Sequence, residues 1–423
     1  MAGLTWRSGA GRKLTAAAGA VLALALLAGG WFWFGGGYDR WATQRQIDGA
    51  CDGVLPSAEV RDVLGDGPFD DGPDTDNRTE GELADASLRV ECSLLRKVEE
   101  GTGKPTRHGS LTVSVRAVPE RRAKDDDSPA ARQQRRADYL GGDGGVYPDV
   151  AGVLPSAALG QGWNSTFTAG DGSSGAGGVT SVLLDCARGR GGLLVTVRAE
   201  DEGAGAEDPA VLTAFARTAT ATAANASAHW DCDADLGKRP RAVPLDVNED
   251  ESVPLADATA SCEGVPGRGS AVSRAWEGAR RGTPVEMCVV GAGSVDGAGR
   301  PVAGAAPDVE GGYRLKASYG PYAQDERYGY LERYDYIGRD RMLGTAPAGP
   351  LVFGGYWASA ECEKGGERAL FTVEPPGSGS PSSYGSDKRD KPTAADRAYE
   401  RAALKAFAEG SAKAHGCKVP VQP

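Results

Sequence analysis

The chain has 423 residues, eight cysteines and a formal net charge of −11. It is too long for one ordinary domain, and two domains of roughly 160 to 190 residues could each bury a core. The acidic balance leaves no basic footprint that could neutralise phosphates over the whole chain, so we expect no nucleic-acid partner.

Residues 14–34 form a long apolar segment without a charged side chain. A helix of that length can cross a hydrocarbon layer of about 30 Å. Arg7, Arg12 and Lys13 precede the segment, which favours a cytoplasmic N-terminus with the bulk of the chain outside. The sequence thus predicts a single-pass anchor in the cell membrane, with the lipid bilayer as a partner through residues 14–34.

A cleaved signal peptide is the alternative, because small residues at 28–30 offer a cleavage site. The bulky aromatic residues at 31–34, with Tyr38, suit a membrane interface better than a new N-terminus. They favour an uncleaved anchor.

The elements beyond this segment occur in two similar series. The first series predicts a helix after Pro56, strands at 88–94 and 111–117, a hairpin of 179–186 with 193–199, and a helix beginning at Asp208. The second predicts a weaker helix at 267–282, strands at 285–290 and 313–318, a hairpin of 357–362 with 369–373, and a helix beginning at Thr393. Acidic or glycine-rich stretches at 66–85, 124–145, 170–178 and 375–392 are predicted to be surface loops.

The cysteines follow the same division into two quartets. Cys51 begins Cys-Asp-Gly-Val and Cys262 begins Cys-Glu-Gly-Val, while Cys186 and Cys362 each precede a strand by seven residues without a gap. We interpret the chain as one unit duplicated in tandem. An even number of cysteines outside the membrane predicts disulfides, and each quartet allows three pairings. The expected pairs are Cys51 with Cys92, Cys186 with Cys232, Cys262 with Cys288, and Cys362 with Cys417.

The predicted fold class is α+β: one N-terminal transmembrane helix, then two tandem repeats, each an antiparallel sheet with packed helices and two disulfides. The predicted organisation is a cytoplasmic N-terminus 1–13, the membrane helix 14–34, a juxtamembrane segment 35–50, a first repeat domain 51–236, a linker 237–258 and a second repeat domain 259–423.

Motifs for cofactors and metals are incomplete. Residues 289–293 imitate a dinucleotide-binding turn, but Asp296 stands where glycine is required. Residues 231–235 open like a calcium loop, which Leu236 and Ala242 then interrupt. His229 and His415 lie near cysteines at helix ends, where the helix dipole accounts for them without zinc. We expect no cofactor, no metal and no catalytic residue.

Residues 313–336 contain seven tyrosines interleaved with charged side chains. Tyrosine offers a large contact area with a polar tip, so this stretch predicts contact with an envelope protein, a glycan or a peptide. The competing interpretation packs the rings on the sheet. The candidate contact residues are Tyr319, Tyr322, Tyr328, Tyr330 and Arg333.

Residues 51–56 and 60–65, with Cys92 and the strand at 111–117, resemble the cysteine-framed domains of actinobacterial envelope lipoproteins and sensor-type ectodomains. The resemblance implies an antiparallel sheet with helices on one side and a binding role. This chain lacks the lipid-anchor cysteine and carries the unit twice. We expect a membrane-anchored, non-catalytic binding or sensor-like protein of the cell envelope. The alternatives are an extracytoplasmic hydrolase using carboxylate or serine residues and a scaffold subunit of a membrane complex.

Overall fold

A computed structural model gives the fold. It describes residues 37–71, 78–84, 87–96, 109–118, 155–169, 176–187, 191–201, 208–243, 252–278, 283–293, 312–323, 326, 347–351, 354–362, 368–376, 392–420 and 423. Within these residues we name four α-helices: α1 Gly37–Gly49, α2 Ser57–Leu64, α3 Pro209–His229 and α4 Ala394–Ala414.

Two antiparallel sheets carry the fold. The first has eight strands in the order β1-β3-β4-β8-β7-β6-β5, with β2 also paired to β3. Its strands are β1 Phe69–Asp71, β2 Arg78–Glu80, β3 Arg89–Arg96, β4 Gly109–Val118, β5 Ser156–Ala157, β6 Ser165–Ala169, β7 Ala176–Asp185 and β8 Gly192–Asp201.

The second sheet has seven strands in the order β13-β14-β15-β12-β11-β10-β9. Its strands are β9 Val253–Pro254, β10 Arg274–Glu277, β11 Val285–Gly291, β12 Tyr313–Ser318, β13 Ala348–Pro350, β14 Tyr356–Glu361 and β15 Arg368–Glu374. We call α1 to α3 with β1 to β8 unit 1, and β9 to β15 with α4 unit 2.

The predicted fold class is wrong for the described chain. The structure is rich in sheet and poor in helix, and none of the helices it describes is long and apolar enough to cross a membrane. Residues 14–34 lie outside the described residues. The helix predicted at 267–282 is also wrong: β10 occupies part of it, because Ala275 faces the core with Val290 while Trp276 pairs with Val289 on the other face.

Each long helix packs on the central strands of its sheet, α3 on β7 and β8, and α4 on β14, β15 and β12. In α4 the side chains that face the sheet recur at helical spacing and are buried: Tyr399, Ala403, Leu404, Phe407 and Ala408. A capping box between Thr393 and Asp396 begins this helix. We call the contact between each long helix and its sheet the seam.

The two units share their four central strands and their long helix. The central orders β3-β4-β8-β7 and β11-β12-β15-β14 are the same. Both long helices have 21 residues and are offset by 185 positions at both ends, 209 to 394 and 229 to 414. The shared strand order and the constant offset are what a duplicated unit requires. The domain boundaries themselves stay a prediction.

All four expected disulfides are present: Cys51–Cys92, Cys186–Cys232, Cys262–Cys288 and Cys362–Cys417. In each unit one bridge ties the end of the long helix to the strand pair under it. The units also touch each other. Ser156 Oγ donates to the Val285 carbonyl at 2.7 Å, and Leu194 of unit 1 is buried with Met287 and Tyr322 of unit 2.

Disulfide removal should destabilise the chain according to loop length. In the chain-entropy account, the double variant C362A/C417A loses about 4 kcal/mol of unfolding free energy, and C262A/C288A loses about 0.7 kcal/mol less. The sequence separations behind this difference are 55 and 26 residues. Denaturant unfolding of the oxidised variants measures both losses. Wild-type stability in both variants would contradict a stabilising role for these loops.

Candidate functional site

The matched units allow each seam position of unit 2 to be compared with its counterpart in unit 1. Backbone hydrogen bonds establish the correspondence on the strands, because Ala117 N donates to Leu88 O and Tyr319 N donates to Pro284 O, both at 2.9 Å. Position 319 therefore corresponds to 117. The registers agree, since Cys92 pairs with Val113 where Cys288 pairs with Leu315.

The helix ends are matched in the same way. Trp230 N donates to Ala226 O and His415 N donates to Ser411 O, both at 3.1 Å. Position 415 therefore corresponds to 230, and 411 to 226. Through the cysteine registers, Glu286 corresponds to Val90.

A buried polar network occupies the C-terminal end of the unit 2 seam. Glu286 on β11 is completely buried, and each of its carboxylate oxygens has a partner on α4 or the turn after it. Ser411 Oγ donates to Oε2 at 2.7 Å, and His415 Nε2 lies 2.8 Å from Oε1. Because a carboxylate only accepts hydrogen bonds, Nε2 carries the hydrogen in this contact. We call Glu286, Ser411, His415 and Tyr319 the Glu286 network.

Tyr319 closes this network. Its hydroxyl is hydrogen-bonded to Ser411 Oγ, and its ring is stacked on the His415 ring with centroids 3.7 Å apart. The single hydroxyl hydrogen of Ser411 is already given to Glu286, so Tyr319 is the donor. The resulting chain runs from Tyr319 through Ser411 to the carboxylate.

The counterpart positions in unit 1 are apolar or aromatic throughout. Val90 replaces the carboxylate, Ala226 replaces the serine, Trp230 replaces the histidine and Ala117 replaces the tyrosine; all four belong to or pack on the unit 1 core. The same fold is therefore built without the network. A buried ionisable group is expensive to desolvate and is weak evidence of stabilisation. We infer that the network serves a purpose specific to unit 2.

A second polar cluster lies at the other end of the same seam. Arg268 donates to Asp396 Oδ1 at 2.6 Å and reaches the Tyr313 hydroxyl at 3.5 Å. The Tyr313 and Tyr399 rings meet edge to face at 4.9 Å. We call these four residues with Glu400 the Arg268 cluster. In unit 1 the corresponding positions of Tyr313, Asp396, Tyr399 and Glu400 hold Leu111, Val211, Ala214 and Phe215.

Burial and charge shape the titration of this cluster. Hydrogen bonds from Thr393, then from Arg268, lower the pKa of Asp396 to about 2. Burial raises the pKa of Tyr399 and of Tyr313. Burial, reinforced by the nearby Asp396 charge, also raises the pKa of Glu400. The cluster therefore keeps Asp396 ionised, and it opposes ionisation of Tyr313, Tyr399 and Glu400.

The predicted contact residues divide into two groups. Tyr319 belongs to the Glu286 network, and Tyr322 is 3% exposed and packs between the units. Tyr328, Tyr330 and Arg333 lie outside the described residues. The described tyrosines thus pack as the competing interpretation expects, while contact by the other three stays a prediction.

Sequence reasoning missed Glu286 and Ser411. The alternation at 285–290 predicts Glu286 only as a polar strand residue, although the corresponding position in the other repeat is Val90. Aligning the two repeats residue by residue would have revealed that exchange. His415 is assigned from sequence to the helix dipole alone, whereas the structure also pairs it with the Glu286 carboxylate. Among the described residues there is no group of His, Cys, Asp and Glu side chains suited to hold a metal ion.

The geometry of the Glu286 network differs from that of a hydrolytic triad. In a triad the histidine accepts the serine hydrogen, whereas here Ser411 donates to Glu286 and His415 contacts the other carboxylate oxygen. Ser411 is also completely buried beneath Tyr319. A substrate could not approach its oxygen in this arrangement.

A shallow surface depression lies beside the same end of α4. It is lined by Glu409, Ala412, Lys413, Gly416, Cys417 and Val419. The His415 side chain is 17% exposed, whereas that of Glu286 is 0% exposed. His415 is therefore the member of this pair that connects the buried carboxylate with the surface.

No protein-family model matches this chain, and no curated protein or solved structure is significantly similar to it. What the site does is therefore inferred from its geometry and from the contrast between the two units.

Replacing the Glu286 network with the residues that unit 1 has at the same positions tests whether unit 2 needs the network for its stability. E286V alone leaves Ser411 and His415 without their hydrogen-bond acceptor, and a buried polar group left unpaired typically costs about 1 to 3 kcal/mol. The fourfold variant E286V/Y319A/S411A/H415W removes all the polar partners together. We expect it to lose less unfolding free energy than E286V, because no buried polar group is left alone. Denaturant unfolding measures both variants.

V90E provides the matched control. It places a carboxylate at the same position of unit 1, where Ala226 and Trp230 supply no side-chain donor of the Ser411 kind, and we expect a loss at least as large as that of E286V. A fourfold variant less stable than E286V would show that the network is a structural requirement of unit 2.

The Arg268 cluster should weaken in acid. The folded pKa of Asp396, about 2, lies below its ordinary value of 3.8, so the stabilisation from its charge is present above about pH 4 and is lost as the pH falls towards 2. The stability difference between wild type and D396A should therefore shrink over that interval. Thermal unfolding at pH 7, 4 and 2 measures it, with D208A, which removes the N-cap carboxylate of α3, as the control for loss of a capping group. A difference independent of pH would contradict the assignment.

Proposed function

We propose that this protein is a non-catalytic, extracytoplasmic binding or sensor-like protein of the cell envelope, attached to the membrane through residues 14–34. Four disulfides and no free cysteine among the described residues support an oxidising location. The attachment is supported by the apolar sequence of residues 14–34 alone.

Unit 2 is the proposed binding module. The supporting observation is the Glu286 network, because it ties the start of the tyrosine-rich stretch to the end of α4. Tyr319 binds Ser411 and His415, Tyr322 is buried between the units, and Lys316 is paired with Glu326. The first residues of the tyrosine-rich stretch are therefore fixed by three contacts. Tyr328, Tyr330 and Arg333 follow them in the chain.

This arrangement suits a sensor. A partner that engaged the tyrosine-rich stretch would pull on Tyr319, and Tyr319 transmits that force to α4 through two direct contacts. A local shift there changes the hydrogen bonding of a buried carboxylate, which has few alternative arrangements. Unit 1, whose seam is apolar at these positions, would serve as the rigid support.

Site-specific photo-crosslinking tests the proposal. A photoreactive phenylalanine derivative is placed at Tyr330 of the full chain in native envelope membranes, and the same group at Leu236, which is 47% exposed, is the surface control. We expect a discrete adduct from position 330 and none from 236. H415A should reduce the adduct at least about tenfold by freeing the first residues of the tyrosine-rich stretch, since a hydrogen bond to a charged group typically contributes about 1.5 to 3 kcal/mol.

W230A is the matched variant at the corresponding position of unit 1, and it should leave the adduct unchanged. Melting curves establish that both variants are folded. Equal adducts from positions 330 and 236, or equal sensitivity to H415A and W230A, would contradict unit 2 as the binding module.

A further inference from the structure

Helix α1 presents an aromatic and cationic stripe to the outside of unit 1. Tyr38 and Trp41 are 42% and 45% exposed, and they are two of the four large hydrophobic side chains exposed among the described residues. Their rings lie 6.0 Å apart, and the Arg45 guanidinium lies 4.5 Å above the Trp41 ring. Positions 38, 41 and 45 share one side of a helix because they are three and seven residues apart.

The other side of α1 is fixed to unit 1. Ile47 is completely buried, Thr43 Oγ1 donates to the Gly67 carbonyl at 3.0 Å, and the Gln46 side chain accepts from Phe69 N at 3.3 Å. The stripe is therefore held outward by the packing of the helix, and its exposure is a property of the fold.

We propose that this stripe, Tyr38 with Trp41 and Arg45, rests in the headgroup layer of the membrane and sets the orientation of unit 1 on it. This inference rests on the membrane attachment proposed above and adds a surface to it. Tyrosine and tryptophan concentrate at membrane interfaces because each has an apolar body and a polar tip, and an arginine beside them can meet lipid phosphate.

Distance along the chain supports the bilayer as the occupant. The apolar residues 14–34 end three positions before Gly37, a reach of at most about 10 Å. Trp41 lies four helical residues further, about 6 Å along the axis. The headgroup layer is about 5 to 8 Å deep on each side, so Tyr38 reaches it readily and Trp41 reaches it when α1 inclines towards the membrane plane.

The described basic side chains of α1 favour this placement. Arg40 and Arg45 are exposed on α1, and Asp66 lies 3.9 Å from Arg40, so that acidic group is already beside a cation. Asp48, near the far end of the helix, accepts from Gln44 at 2.8 Å. The stripe itself, at positions 38, 41 and 45, carries no acidic residue.

Oxidative footprinting of the full chain in lipid nanodiscs tests the proposal. The discs contain phosphatidylglycerol and phosphatidylethanolamine and are loaded with one chain each, so that a second copy cannot cover the stripe. Labelling rates are divided by those of the unfolded chain. Leu236, equally exposed at 47%, is the internal control. We expect Tyr38 and Trp41 to be labelled at least about threefold more slowly than Leu236, as for side chains withdrawn into a membrane interface.

The outcomes are distinguishable. A chain that fails to co-purify with the discs would overturn the membrane attachment and this inference with it. A chain that co-purifies but shows equal rates at Trp41 and Leu236 would overturn the inference and leave the attachment standing. Protection that appears only when discs carry two chains would assign the stripe to self-association and overturn it as well.

Discussion

The packing of one long helix on one antiparallel sheet is the contact on which each unit depends. A sheet with one face on a core must cover that face, and in both units the helix after the last strand does so. The disulfide at the end of each helix, Cys186–Cys232 or Cys362–Cys417, then fixes where along the sheet the helix stops. Because a disulfide fixes the C-terminal end of the long helix in both units, side chains at equivalent positions can be compared directly between the units.

That comparison separates what the fold needs from what only the second unit contains. The seam of unit 1 shows that Val90, Ala117, Ala226 and Trp230 suffice to close it. Unit 2 has a carboxylate, a tyrosine, a serine and a histidine at those positions, all mutually satisfied. A half-satisfied network would be worse than an apolar core, so the four residues act as one set. The fold does not require the Glu286 network, because unit 1 lacks it. Its polar groups nevertheless all have partners, which favours a functional explanation.

The sequence carried the strongest signals where pattern and covalent constraint coincide. The disulfide pairing, the central strands and both long helices could be predicted because cysteine spacing, period-two alternation and helix caps point to the same positions. The edge strands could not. β1 and β2 lie within residues 66–85, where acidic side chains and short length resemble a loop, and their pairing with β3 depends on tertiary contact. The network was hidden for a related reason, because Glu286, Tyr319 and Ser411 are distant in sequence and meet only across the seam.

The placement of the two units bears on the roles proposed for them. Helix α1 belongs to unit 1 and follows the apolar N-terminal segment directly, so unit 1 is the part of the molecule that any attachment through residues 14–34 holds near the membrane. Among the described residues, unit 2 contacts unit 1 where Ser156 bonds to Val285 and where Leu194 meets Met287 and Tyr322. Tyr322 follows Tyr319 by three residues, so the same short segment contacts both the unit interface and the end of α4. A displacement of that segment would therefore change contacts at both places, which is the connection that the proposed sensor role requires.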